Sequence, residues 1–161
     1  MDNLEILNKL EVCIDWLGFT LFAYSSPYDV LSYMGLCSGD FSVGNGSNGY
    51  KCSLRHNFYP ITVLYDGRED MGIHVNISGS AISYALEAYA ETIKIPTPFG
   101  SYAIEWSEET MMVRYLKHIA EMAKFTRIDL AIDDKGCNYY SVNDVREICD
   151  SDRCMTRFRK Y

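Results

Sequence analysis

The stretch Arg127-Ile128-Asp129-Leu130-Ala131-Ile132-Asp133-Asp134 decides how this chain is read. Apolar and polar residues alternate along it, the period of a strand whose successive side chains point to opposite faces. Ile128, Leu130 and Ile132 share one face, which is expected to enter a core. Arg127, Asp129, Ala131 and Asp133 share the other. That second face lines two carboxylates along rigid backbone, which suits a divalent cation or a phosphate-transfer site. The plain alternative is a solvated strand face on which Arg127 pairs with Asp129 instead of binding a phosphate.

Working outward, residues 72–78 (GIHVNIS) alternate in the same way, with Ile73, Val75 and Ile77 on one face and His74 and Asn76 on the other. His74 offers a metal ligand or proton shuttle and Asn76 a polar partner, although a lone strand histidine is more often structural. Residues 12–24 are rich in β-branched and aromatic side chains and read as a long strand. Asp15 lies in it between Ile14 and Trp16, either as an outward residue or as part of the same polar cluster.

Ser26-Pro27 opens a short helix, with Val30, Leu31 and Met34 as its apolar face. Residues 38–49 hold four glycines without periodicity and read as a loop. Residues 50–57 and 61–65 read as a hairpin or meander turning around Pro60. The spacing of Ile82, Leu86, Tyr89 and Ile93 predicts a helix over 80–93. A second long helix is capped by Ser107, with Met111, Tyr115, Ile119 and Met122 as its core stripe. Ser141 and Asp144 cap a short helix reaching about 149, and 154–160 reads as a last strand. Strands and helices in this order predict a single α+β domain over 1–161, with a largely antiparallel sheet and helices packed mainly on one face.

The chain has 161 residues, 48% hydrophobic and 23% charged, which fits one soluble domain with its own core. No apolar run reaches membrane-spanning length, so no membrane partner is expected and the cytoplasm is the expected location. Six cysteines show no C-x-x-C pairing and no close histidines, which favours buried reduced thiols over a zinc site. The net charge of −7 disfavours non-specific binding to nucleic acid. It is uneven: residues 135–161 carry six basic and four acidic residues, net +2, against nine and eighteen, net −9, in residues 1–134. Phosphate-loop, dinucleotide-binding and G-x-S-x-G motifs are absent.

Three segments together resemble the replication initiation factor family, the rolling-circle replication initiators and relaxases of plasmids, phages and integrative elements. They are Ile14-Asp15-Trp16-Leu17-Gly18-Phe19-Thr20, Gly72-Ile73-His74-Val75-Asn76-Ile77-Ser78-Gly79, and Phe125-Thr126-Arg127-Ile128-Asp129-Leu130-Ala131-Ile132-Asp133-Asp134. The resemblance spans about residues 12–160 and corresponds to the N-terminal half of such a protein. It implies a divalent metal, Mg or Mn, held by acidic residues and assisting a tyrosine that attacks a DNA phosphodiester. On this resemblance Asp129 and Asp133 match the acidic pair of the D-x-A-x-D strand, and Asp15 and His74 lie in matched motifs. The family's R-x-Y-D-K tyrosine motif is not found before the sequence ends at Thr156-Arg157-Phe158-Arg159-Lys160-Tyr161. Tyr161 is the tyrosine that stands there, outside any such motif.

Two functions follow as expectations, beside a plainer third in which the chain is a DNA-binding remnant that uses its basic segment 146–160. The first is a truncated, non-catalytic initiator-like protein whose acidic body imitates DNA and occupies a nucleic-acid-handling partner such as a CRISPR nuclease, as an anti-CRISPR or other anti-defence inhibitor would. The second is a metal-dependent DNA-nicking fragment completed by another chain. For DNA or partner contact the candidates are Arg127, Arg157, Arg159 and Lys160, the last three in the basic C-terminal segment.

Overall fold

The computed structural model describes residues 10–93, 95–97, 100–102, 108–134 and 141–151. Six strands form one sheet in the spatial order β2-β3-β4-β5-β1-β8. They are β1 (Leu10–Leu21), β2 (Phe41–Asn45), β3 (Cys52–His56), β4 (Ile61–Tyr65), β5 (Ile73–Ser78) and β8 (Ala123–Asp134). The pairs β2–β3, β3–β4, β4–β5 and β5–β1 are antiparallel. A separate two-stranded ribbon joins β6 (Ile95–Thr97) and β7 (Gly100–Tyr102). Four α-helices accompany the strands: α1 (Pro27–Tyr33), α2 (Ala81–Thr92), α3 (Glu108–Met122) and α4 (Val142–Asp150). The α+β class and the mainly antiparallel sheet are as the sequence predicts.

The chain divides into two compact units, residues 14–130 and residues 1–13 with 131–161. The larger unit holds the core. Leu17, Phe19 and Leu21 of β1 face Ile77, Val75 and Ile73 of β5 across the register, and all six are buried. Ile61 and Val63 of β4 continue this layer. Val30, Leu31 and Met34 from the first helix segment, Ala85 and Leu86 from α2, and Tyr115 and Ile119 from α3 close over it. Each buried Val, Leu, Ile, Met or Phe side chain among them stabilises the fold by about 1.5–3 kcal/mol when taken out of water. Helices α1, α2 and α3 thus pack on one face of this layer.

Local signals set the helix ends. Ser26 caps α1 by accepting from the Tyr28 N–H. Gly35 follows the helix with φ +76°, and a Cβ there would sit 2.9 Å from the Ala88 carbonyl oxygen of α2. Only glycine meets both demands at low cost. Ser141 and Asp144 form the expected reciprocal capping box of α4 in the smaller unit.

Four expectations change. Residues 41–45 are an edge strand and not a loop, because backbone pairing from Phe41↔His56 to Asn45↔Cys52 outweighs the low strand propensity of glycine and serine. Ile128, Leu130 and Ile132 do not enter the core but are 45%, 67% and 67% exposed. Among the described residues β8 is the last strand of the sheet, and none of these three belongs to the cluster closed by α1–α3. Met122, the last residue of α3, is also exposed, while Met111, Tyr115 and Ile119 are buried as the stripe predicts. Of the cysteines whose side chains are described, Cys37 is exposed and Cys13 and Cys52 are half-buried, not buried as expected. The Ser107 cap and the strand over 154–160 lie outside the described residues. No helix among the described residues is long and apolar enough to cross a membrane.

The β3–β4 turn depends on one imidazole. His56 Nδ1 accepts from the backbone N–H groups of both Phe58 and Tyr59 at 3.1 Å. The ring packs edge-on to Phe41 and Tyr84. Burial pushes its pKa down, and the nearby Asp40 carboxylate only partly opposes this. A protonated ring cannot accept at Nδ1, so acid breaks both bonds. The unfolded chain therefore binds the proton more readily. Stability from this group is complete above the unfolded histidine pKa of about 6.5 and is lost as pH falls below it. Melting temperature is expected to drop between pH 7 and pH 5, and His56→Phe to show a smaller drop over that range. An equal drop in the variant would contradict this role.

Candidate functional site

The sheet face away from the helices is built by the residues that alternate with the core. In β1 these are Trp16, Gly18 and Thr20, which stand opposite Ser78, Asn76 and His74 of β5. Thr62 and Leu64 of β4 lie beside Asn76 and His74 on the same face. Arg55 and Ser53 of β3 extend the two rows.

Four of these side chains form a hydrogen-bonded chain. The Trp16 indole Nε1–H donates to Asn76 Oδ1 at 3.3 Å. An indole nitrogen only donates, which fixes the carboxamide oxygen toward it. His74 Nε2 lies 3.3 Å from that same oxygen and must therefore carry the hydrogen. His74 Nδ1 is then the acceptor, 2.9 Å from Thr20 Oγ1. Burial lowers the His74 pKa, with the Asn76 hydrogen bond acting in the other direction, so the ring is neutral at neutral pH. The Tyr50 ring lies nearly parallel to it at 6.3 Å between centroids.

Arg127 of β8 comes to this face. Its guanidinium carbon sits 4.5 Å from the Trp16 ring centroid, within cation–π range. Its Nε donates to both Asp129 oxygens at 2.9 and 3.0 Å, and its Nη2 donates to Asp129 Oδ2. These bonds raise the Arg127 pKa and lower that of Asp129, and the Asp15 carboxylate adds a smaller upward pull on Arg127. Gly18 leaves the space for this assembly. A Cβ there would lie 3.1 Å from Thr126 Oγ1, 3.3 Å from Asn76 Oδ1 and 3.4 Å from Arg127 Cβ.

The structure thus brings Arg127, Asp129 and His74 to one region, with the field of Asp15 reaching Arg127. Asp133 belongs to the smaller unit, where it is exposed and its Oδ2 lies 3.9 Å from Cys13 Sγ. Arg157, Arg159, Lys160 and Tyr161 lie outside the described residues. Trp16, Gly18 and Thr20 are site residues that alternation alone did not single out. Their signal was available in the register, because each alternates with a core residue of β1 and faces the His74–Asn76 segment.

As a metal centre the described residues fit poorly. Among them no three His, Cys, Asp or Glu side chains converge as a metal site requires. Both Asp129 oxygens accept from Arg127, and both His74 nitrogens have hydrogen-bond partners. As a phosphate site the face is better equipped, because a planar guanidinium resting on an aromatic ring suits paired oxygens.

No protein-family model and no curated protein matches the chain. A solved structure, that of a rolling circle replication initiator protein from Geobacillus stearothermophilus, is similar to it at 27% identity and a TM-score of 0.61. The match covers 94% of this chain and 54% of that one, so this chain spans about half the length of that initiator. The fold is therefore replication-initiator-like.

Gly18→Ala is expected to cost about 1–3 kcal/mol of stability through overpacking, measurable by urea denaturation. It should also perturb the indole signal of Trp16. A variant of wild-type stability with an unchanged indole signal would contradict the close approach of β8 to this face.

Proposed function

We propose that this chain is a replication-initiator-like module that engages DNA on the polar face of its sheet, with Arg127 taking a backbone phosphate. The observation that carries the reading is the similarity to a rolling circle replication initiator over 94% of the chain. The site supplies its chemistry. The Arg127–Asp129 pair has side chains 54% and 38% exposed. Ion pairs this open gain little in water, so a phosphate can take the place of the Asp129 carboxylate at small cost. The Trp16 surface holds the guanidinium in place through the exchange.

The catalytic form of the proposal adds Mg²⁺ or Mn²⁺ at Asp129 and Asp133 and the nicking of one DNA strand. Resemblance alone supports this part, and Arg127 would have to release Asp129 before a cation could bind it.

A second reading rests on a different observation, the net charge of −7. It makes the chain an acidic inhibitor that occupies the DNA channel of a protein such as a CRISPR nuclease. An acidic body repels DNA and suits a basic channel.

One set of measurements separates the readings. On the first, the protein binds DNA in a salt-dependent manner, and Arg127→Ala weakens binding across sequences and lowers the salt slope by about one. Nicked circles from supercoiled DNA with Mn²⁺, lost in Asp129→Ala, would support the catalytic form. Absence of DNA binding even at low salt, together with inhibition when the protein is titrated into a CRISPR nuclease, would replace the first reading with the second.

A further inference from the structure

We infer that Thr20, His74, Asn76 and Trp16 form a positioning device for Arg127, in which His74 works as a relay of fixed tautomer that orients the indole carrying the guanidinium. The inference rests on the DNA-engaging reading only for what Arg127 then does.

Donor and acceptor logic carries the argument. Starting from the donor-only indole, each group in turn has a single consistent role. Asn76 Oδ1 accepts from Trp16 Nε1–H and His74 Nε2–H, and His74 Nδ1 accepts from Thr20 Oγ1–H. Reversing one hydrogen would leave the indole N–H or a half-buried ring nitrogen without a partner, which is costly away from water. Thr20 is itself buried, at 6% exposure, so the first link of the chain is anchored inside the sheet. The last link is Trp16, whose ring supports Arg127 at 4.5 Å.

The arrangement answers a physical problem. An arginine on an edge strand has several rotatable bonds and loses entropy when a ligand fixes it. A tryptophan has only two side-chain torsions, and here its N–H is tethered. The guanidinium rests on a surface held through the sheet, and pre-organisation of this kind lowers the cost of binding. His74 touches neither Arg127 nor the ligand in this scheme, so it is a positioning residue.

Two measurements test the device. The first needs no DNA. In long-range ¹⁵N NMR spectra His74 is expected as the Nε2–H tautomer at pH 7.5. The Trp16 indole N–H signal is expected to shift in Thr20→Val and in His74→Phe. An Nδ1–H tautomer, or an indole signal indifferent to both substitutions, would overturn the inference. The second is DNA binding by fluorescence anisotropy with variants verified as folded by circular dichroism. Thr20→Val, which nearly preserves shape, and His74→Phe should each weaken binding about three-fold, the scale of one exposed cation–π contact. Neither should weaken it further in an Arg127→Ala background. Equal losses with and without Arg127 would overturn the positioning role. If Arg127→Ala itself leaves DNA binding unchanged, the phosphate reading fails, while the NMR result still decides whether the relay exists.

Discussion

The register of β1 against β5 is the constraint from which the site follows. Leu17, Phe19 and Leu21 must face Ile77, Val75 and Ile73 in the dry layer beneath the helices. A slip by one residue would send all of them into water. With these six fixed, Trp16, Gly18, Thr20, His74 and Asn76 can only stand on the opposite face. The hydrophobic core thereby assembles a polar network whose members are up to 60 residues apart in the chain.

The polar face is arranged around a cation, although the protein as a whole is acidic. Arg127 is balanced by Asp129 directly and by Asp15 through space. In water this balance contributes little to folding because the pair is open to solvent. On the proposed reading its consequence concerns binding, because a guanidinium resting on an indole and paired with an exposed carboxylate can exchange that carboxylate for a phosphate. The net charge of −7 disfavours such binding unless a partner or further chain supplies more cations.

Much of the fold was legible because its strongest signals are local. The alternation of Ile73, Val75 and Ile77, the stripe of Ile82, Leu86 and Tyr89, and the Ser141–Asp144 capping box each describe the observed element. The misreadings share a physical cause. Residues 41–45 become a strand only because β3 offers an edge, and Ile128, Leu130 and Ile132 stay exposed because they lie outside the cluster that α1–α3 close. Alternation reports that a strand has two faces but does not report whether anything covers them. The site was half legible for the same reason. Arg127, Asp129 and His74 stand out as charged or titratable residues, whereas the roles of Trp16 and Thr20 depend on cross-strand partners fixed by register.

The most direct test of a DNA-engaging polar face is amide and side-chain NMR mapping during titration with a short single-stranded oligonucleotide at low salt. The largest shifts are expected along residues 16–20, 74–78 and 127–129, with the Arg127 Nε–H and the Trp16 indole N–H moving together. Shifts confined to the helical face formed by α1 and α2, or no shifts at all at low salt, would contradict it.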